Sequence, residues 1–354
     1  MPQILCFDMA ATRKINGGIE LARFVFCIVI MLYHSSEVGI HACQRGRMAV
    51  SFFFLLSGFL AAKSILGRNE SETFIGYGCR FFKRKLLAVQ PELITFAAMY
   101  LVFQLITCYP LEKVANFGWG AFVSDILLLR MFGADFAGIE PAWYISSMFI
   151  ALLLIYPLLY KRVHAFILFI LGFGVLTFLA REMYLLAFYF KDTIGGIYVG
   201  NIWGVGAILL GATLYGVHKR LRNAQFRIPG WLPLSSAAGA LAGSLVLMNL
   251  RQGLLHDIAS TSLLCILILS LFMIPQDSAC RRNERLNGIV FFLGKISLPL
   301  YLTHRYVLHE LARTPGFDET LGWQITYVIA VVLVSLLVSY LAGILRSRIA
   351  KYYS

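Results

Sequence analysis

Residues 21–36, LARFVFCIVIMLYHSS, form an apolar run that nevertheless contains Arg23 and His34. An α-helix advances about 100° and 1.5 Å per residue, so the stretch from Arg23 to His34 turns by about 1100° and rises by about 16 Å. This turn exceeds three full rotations by only about 20°, which places both side chains on one helix face. Glu20 and Glu37 lie three residues beyond them on nearly the same stripe, a spacing that suits pairing on a helix surface.

Two interpretations of this charged stripe are open. Ionisable groups in membrane helices are costly and usually face a cavity or partner helices. In the functional interpretation, Arg23 is a cation near one mouth of an interior passage, where a phosphate would dock, and His34 is a general base deeper inside. Glu37 would then orient or tune the imidazole. In the alternative, Arg23 extends to the lipid headgroups and His34 is a hydrogen-bonded packing residue.

The composition indicates the setting in which this helix lies. The chain has 354 residues, of which 59% are hydrophobic and 14% charged, and its mean hydropathy is +0.75. A soluble domain carries about 25% charged residues, so a polytopic membrane protein is expected. The net charge of +13 is typical of Lys and Arg in cytoplasmic loops, and we expect no nucleic-acid partner. No cleavable leader is predicted at the N-terminus.

Polar breaks divide the chain into ten predicted spans. Their ranges are 20–38, 48–66, 86–107, 142–160, 165–180, 198–217, 231–250, 258–274, 288–308 and 323–344. With the N-terminus inside, 20 of the 31 Lys and Arg residues fall on the cytoplasmic side and nine outside. Both termini are therefore predicted to be cytoplasmic. The fold class is an all-α integral membrane protein, and residues 1–354 are expected to form a single transmembrane domain.

Two further features concern the outer side. The stretch GWGAFVSDILLLRMFG is too short and interrupted to span, and is predicted to be a re-entrant or interfacial helix that caps a cavity. The seven cysteines show no C-x-x-C spacing, so neither a disulfide framework nor a zinc site is indicated, and we expect no metal. Pairing of Cys43 with Cys108, both predicted to lie outside, stays open.

Several motifs, taken in order, are similar to a known family. The Arg23-x10-His34 stripe is followed by FFFLLSGFLAAKS (52–64), AWYISSMFIALLLIYPLLY (142–160) and FLGKISLPLYLTHRYVL (292–308). Together they resemble the bacterial acyltransferase-3 family of membrane O-acyltransferases, whose late signature is GKISYSLYLxH. The resemblance runs over almost the whole chain, and ten spans is the count of that family.

The resemblance implies an enzyme of the bacterial cell membrane, with several spans among the membrane lipids. Acetyl-CoA, or a similar acyl-CoA, would bind from the cytoplasm, and its acyl group would pass to a hydroxyl of a carbohydrate acceptor, such as a cell-surface or exopolysaccharide. His34 matches the essential histidine of the family, and Arg23 matches the arginine that contacts the CoA end.

The sequence also departs from the family pattern. Many members carry acidic residues where Ser51 and Met148 stand here. Many also have two arginines before a proline in the third span, where this chain has Lys85 and Ala88. Arg80, Lys83 and Arg84 lie a turn or two earlier and are candidates for the missing charge. These departures bear on which acceptor is bound and on which residues contact CoA, rather than on the class of reaction.

The basic cluster CRFFKRK (79–85) has two interpretations. It is either an anchor on anionic lipid or a docking patch for CoA phosphates formed by Arg80, Arg84 and Lys85. Both roles are compatible.

Four residues are candidates on the acceptor side of the cavity: Ser57, Trp143, Tyr301 and His304. Ser57, next to Gly58, is favoured as a small-residue helix contact over a wall of the site. Ser297, Tyr301 and His304 recur at i, i+4 and i+7, so they either line the cavity or form a hydrogen-bonded seam between helices. Trp143 is favoured as an interfacial belt residue over a sugar-stacking one.

The competing function is a transporter or exporter of a glycan precursor or small metabolite that uses the same polar cavity. Transporters commonly show inverted repeats with broken helices in matching positions, and no such pairing is visible in this sequence. No Walker, G-x-S-x-G or H-E-x-x-H pattern offers another chemistry.

Overall fold

The computed structural model describes residues 16–106, 119–133, 139–186, 190–224, 229–250, 253–274 and 284–353. Eleven α-helices occupy most of this part of the chain. They are α1 Gly17–His34, α2 Ala49–Leu66, α3 Phe74–Ile106, α4 Trp119–Ile126, α5 Ala142–Tyr160, α6 Ala165–Leu186, α7 Val199–Asn223, α8 Trp231–Leu247, α9 Leu254–Met273, α10 Glu284–Ala312 and α11 Leu321–Tyr353. A hairpin of two-residue strands, β1 Thr193–Ile194 and β2 Ile197–Tyr198, precedes α7.

The membrane character of the fold is confirmed. Seven of the described helices are long and apolar enough to cross a membrane, and two shorter apolar helices cover 165–180 and 231–247. Each of the ten predicted spans overlaps one long helix, although α10 is not among the seven. An all-α membrane protein is therefore the correct fold class, whereas ten crossings and two cytoplasmic termini stay predictions.

Helices α1 and α10 lie side by side and run in the same direction. A side chain at Gly294 of α10 would collide with the Glu20 carboxylate of α1. Further along, the Cys27 thiol donates to the Ser297 carbonyl at 2.7 Å. Since the two helices are parallel, the residue at the end of α1, His34, lies beside His304 of α10.

Helices α2 and α7 cross at a pair of glycines. A Cβ at Gly58 would collide with the Ile208 carbonyl, and one at Gly211 would collide with the Leu55 carbonyl. Small residues let membrane helices approach this closely. The helix-contact interpretation of the Ser57–Gly58 pair is thus confirmed for Gly58, and the crossing holds the start of α2 beside α7.

The segment between α4 and α5 caps the start of α5. Helix α4 has eight residues, too few to span the hydrocarbon, as expected. The buried Asp125 carboxylate accepts from the Arg130 guanidinium at 2.8 and 3.0 Å and also from the Ile139 amide. The Ser146 hydroxyl of α5 accepts from the Met131 amide at 3.1 Å. These contacts fix the chain that enters α5.

The loop between α1 and α2 is tied to the end of α8. The Cys43 amide donates to the Asn249 side chain at 2.9 Å, and the Arg45 amide donates to the Met248 carbonyl at 2.9 Å. This attachment precedes the 3₁₀ turn Gly46–Met48, which contains Arg47. Cys108 lies outside the described residues, so its pairing with Cys43 stays untested.

Candidate active site

A cavity of about 360 Å³ lies where the ends of α1 and α10 meet the starts of α2, α5 and α7. Its polar wall combines both helix ends with residues from loops. The polar residues are Tyr33, His34, Ser36, Arg47, Glu140, Tyr301, His304 and Arg305. The cavity has the size of a small-molecule site with a few convergent polar groups.

Two imidazoles face each other in this cavity. The ring centroids of His34 and His304 lie 5.3 Å apart. Nδ1 of His304 is 2.8 Å from the Tyr301 carbonyl oxygen, which can only accept, so Nδ1 carries the hydrogen and donates. Nε2 of His304 is then an acceptor, and it is buried without a hydrogen-bond partner among the described residues. Of the two interpretations of the Tyr301–His304 face, cavity lining agrees with this geometry.

Glu140 and Arg305 form a charged pair at the cavity wall. The Arg305 guanidinium donates to the Glu140 carboxylate at 3.2 Å, and the Glu140 amide donates to the Tyr306 hydroxyl at 3.1 Å. Sequence reasoning did not single out Glu140, because it lies in a loop without periodic pattern. Each charge of the pair is balanced by the other. The contact joins the segment before α5 to α10.

The opposite wall is aromatic. Trp143 stacks on Phe190, with ring centroids 4.4 Å apart and planes 13° apart, and the Trp203 ring lies 6.2 Å from it. A belt residue would face lipid, whereas Trp143 is only 7% exposed and lines the cavity. The belt interpretation therefore does not fit this residue, and an aromatic platform for a ring-shaped ligand does.

Ser57 lies one layer behind the cavity. Its hydroxyl donates to the Met148 sulfur at 3.2 Å, next to Tyr144, whose ring centroid is 5.8 Å from that of Tyr301. Ser57 is not among the cavity-lining residues. Met148, which replaces the acidic residue of the family pattern, thus accepts a hydrogen bond from a hydroxyl instead of carrying charge.

Arg23 occupies the other end of α1. It pairs with Glu20 at 2.8 Å, its side chain is about one-third exposed, and it does not line the His34 cavity. A continuous passage from Arg23 to His34 is therefore not part of the described cavity.

The basic cluster of α3 divides into two groups. Lys85 lies near enough to Arg23 for the two charges to interact, and its Nζ lies 5.8 Å from the Phe81 ring centroid. Arg80 pairs with Glu72 on the surface, and Arg84 Nε donates to the Arg80 carbonyl at 3.3 Å. Of this cluster, Lys85 is thus the residue for which a charge interaction with Arg23 is found among the described residues.

Glu37 belongs to the 3₁₀ turn Ser35–Val38 that follows His34. Its side chain lies outside the described residues. Its assignment as the partner of the His34 imidazole stays a prediction.

Comparison with known proteins agrees with this geometry. The family model described as "Acyltransferase domain" matches residues 16–343. The chain is similar to "Acyltransferase MdmB" of Streptomyces mycarofaciens, with 33% identity over 132 residues. That match covers 35% of this chain and spans only 31% of the relative. No solved structure matches.

The family match covers the α1 stripe, the cavity and the α10 signature together, and it favours the enzyme over the transporter. The chain belongs to this acyltransferase family.

Proposed function

We propose that this protein moves an acyl group, acetyl in the first instance, from acyl-CoA on the cytoplasmic side to a hydroxyl of a carbohydrate acceptor. The acceptor is proposed to belong to a cell-surface or exopolysaccharide, and the enzyme to be a multi-pass protein of the bacterial cell membrane. The family membership supports the acyl transfer itself. The cavity supports a hydroxylated acceptor, because it combines imidazoles with an aromatic platform.

In the proposed reaction, His34 is the general base. Its imidazole takes the proton of the acceptor hydroxyl while the oxygen attacks the thioester carbonyl carbon. The new C–O bond forms, the C–S bond breaks, and the CoA thiolate leaves and recovers the proton from the imidazolium. His304 accepts a hydrogen bond at Nε2 from the same acceptor and so orients it, because its Nδ1 is already engaged by the Tyr301 carbonyl.

The donor would approach from the other end of α1. Arg23 and Lys85 are proposed to hold the CoA phosphates, since two cations at one end favour a polyanion. The arm of the cofactor would then cover the roughly 16 Å between Arg23 and His34 along the helix. Arg80 and Arg84, on the surface, would add a second phosphate contact or hold anionic lipid.

The observation that carries this proposal is the pair of imidazoles, His34 and His304, facing one cavity. The test is acetyl transfer by purified protein from radiolabelled acetyl-CoA to glycans of cells that lack the protein. His34→Ala is expected to lower turnover by about 10²–10⁴-fold while the protein stays folded. His164→Ala, which removes an exposed imidazole near Arg220, is the matched control and is expected to leave the rate unchanged. Wild-type turnover in His34→Ala would overturn the assignment of the base.

A cellular measurement tests the acceptor class. Mass spectrometry of surface glycans, with and without the protein, should show loss of an acyl mass from a carbohydrate hydroxyl. Unchanged glycans in all fractions, together with active transfer in vitro, would exclude a surface polysaccharide as the acceptor. The same spectra distinguish acetyl from succinyl by the mass that is lost.

A further inference from the structure

A second chamber of about 370 Å³ lies next to the histidine cavity. It is enclosed by α6, α7 and α9 and by the start of α2. Apolar side chains form most of its wall: Phe169 and Leu176 on α6, Leu210 and Leu214 on α7, Ile258 and Cys265 on α9. The proposed reaction makes no use of this chamber.

Two of its hydroxyl groups donate to backbone carbonyls of their own helices. The Thr213 hydroxyl donates to the Leu209 carbonyl at 3.1 Å, and the Ser262 hydroxyl donates to the Ile258 carbonyl at 2.9 Å. Side chains bonded in this way present mainly carbon to the chamber. The lining therefore suits a hydrocarbon chain better than a sugar, which would need partners for its own hydroxyls.

The chamber also includes residues that are exposed at the surface of the helix bundle. They are Phe173 at 43%, Val217 at 37% and Ile266 at 46%. All three belong to apolar helices that overlap predicted spans. An occupant can therefore enter sideways from the bilayer, so a lipid chain is favoured over a solute that arrives through water.

Arg47 and Trp203 line both chambers and so mark their junction. The Trp203 indole N–H donates to the Ser51 hydroxyl at 3.0 Å, which holds the ring between the two spaces. A ligand that passes this junction has one part beside the histidines and another part among apolar side chains.

The junction carries an excess of positive charge. Arg45 is 3% exposed and pairs with Asp257 at 2.5 Å, and Arg47 also acts electrostatically on that carboxylate. Two arginines thus share one acidic group, while Glu140 on the other side is paired with Arg305. Among the residues that the structure describes, no hydrogen bond or ion pair to the Arg47 side chain is found. A guanidinium at such a position is a recognition group for a phosphate.

We propose that the acceptor is an anionic lipid, in which a hydroxylated headgroup is joined through a phosphate to a hydrocarbon chain. The chain fills the apolar chamber, the phosphate binds Arg47, and the headgroup lies beside His34 and His304. This inference rests on the proposed function for the role of the headgroup hydroxyl. It narrows the acceptor to the lipid-phosphate-linked form of the carbohydrate.

The test measures binding, so that it does not depend on acyl transfer. The full chain is placed in phosphatidylcholine nanodiscs, and four glucosides compete with a fluorescent analogue of decyl glucosyl phosphate. These are decyl glucosyl phosphate, methyl glucosyl phosphate, decyl glucoside and methyl glucoside. The first is expected to bind at least about tenfold more tightly than each of the others, because each of the others lacks the phosphate, the chain or both.

Three variants assign the two preferences to the two features. Arg47→Gln should abolish the preference for phosphate and keep the preference for the decyl chain. Cys265→Phe, which fills the chamber, should abolish the preference for the decyl chain and keep the preference for phosphate. Thr261→Phe is a second variant that fills the chamber, for use if the first does not fold. Leu255→Phe, at a 78% exposed position of the same helix outside the chamber, is the matched control and should keep both preferences.

The outcomes separate this inference from the proposed function. Equal binding of all four glucosides, or an unchanged phosphate preference in Arg47→Gln, would overturn the inference even if acetyl transfer is observed. Displacement by decanoyl-CoA that Cys265→Phe abolishes, without displacement by decyl glucosyl phosphate, would assign the chamber to the acyl donor instead. Conversely, lipid binding that follows the expected pattern in a protein without transfer activity would refute the proposed function alone.

Discussion

The His304 ring lies 5.3 Å from the His34 ring, and its Nδ1 is committed to the Tyr301 carbonyl at 2.8 Å. The tautomer of His304 is therefore set by its own helix, and its Nε2 is buried without a hydrogen-bond partner among the described residues, at a residue that lines the cavity. The two histidines are not equivalent: one is oriented by a backbone bond, and the other ends the helix that also carries Arg23.

This difference predicts distinct effects of substitutions at His304. His304→Asn retains a side-chain N–H near the Nδ1 position and should keep the bond to Tyr301, so thermal stability should change little. It removes the acceptor at Nε2, and kcat for acetyl transfer should fall by about 100-fold. Steady-state kinetics with varied acceptor give kcat and KM separately. Full activity in a folded His304→Asn protein would mean that His304 only supports the helix.

The two cations near the start of α1, Arg23 and Lys85, predict a donor-binding defect when either is removed. Arg23→Ala and Lys85→Ala should each raise KM for acyl-CoA by about 10–100-fold, because each removes a charge-assisted hydrogen bond to phosphate. Arg84→Ala, on the exposed face of the same α3 stretch, should have a much smaller effect. The measurement is transfer rate against acyl-CoA concentration. A wild-type KM in both Arg23→Ala and Lys85→Ala would contradict the binding of CoA phosphate by this pair.

The glycine crossing of α2 and α7 predicts a strong dependence on side-chain size. Gly58→Ala and Gly211→Ala each push a methyl group into a carbonyl of the facing helix and should destabilise the protein by about 1–3 kcal/mol. Gly174→Ala in α6 meets nothing within 4 Å and is the control, expected to stabilise by about 0.5–1 kcal/mol. Reversible unfolding in mixed micelles gives the free energy of unfolding of all three variants. If Gly174→Ala were destabilised while Gly58→Ala and Gly211→Ala were not, this account would be wrong.

The buried Asp125–Arg130 pair predicts a large effect on the cap of α5. Asp125→Asn removes the carboxylate charge that pairs with the Arg130 guanidinium in a site where both side chains are at most 3% exposed, and should cost about 3–5 kcal/mol. Glu70→Gln breaks a surface pair with Arg162 and should cost less than about 1 kcal/mol. Unfolding free energies give the comparison. Similar costs for both variants would show that the cap does not depend on the buried charge.

Periodicity in the sequence is sufficient to predict the long helices and the site residues that lie within α1 and α10. The spacing of Arg23 and His34 is a property of a single helix, so it is visible without a partner. Tyr301 and His304 were likewise found from their i, i+3 relation within α10. Periodicity could not predict that α10 packs against α1. This packing depends on Gly294, which leaves room for the Glu20 carboxylate, and on the contact of Cys27 with Ser297.

The other half of the site comes from positions with no pattern. Arg47 lies in a 3₁₀ turn, Glu140 in a loop and Phe190 just before the hairpin, and each is brought to the cavity by tertiary contacts alone. Glu140 would have been found only by asking which acidic residue compensates Arg305. Trp143 was misjudged because its position near a helix start is the same for a lipid-facing and an inward-facing ring, and only packing against Phe190 decides between them.

The neighbouring contact of Cys27 with Ser297 joins residues separated by 270 positions, and the histidine pair has the same spacing. Most of the polypeptide must therefore be synthesised before α1 can meet α10, the helix that completes the cavity beside His34. Until then α1 lies in the bilayer without this partner helix. A chain truncated before α10 is therefore expected to insert into the membrane and to lack the proposed acyl transfer.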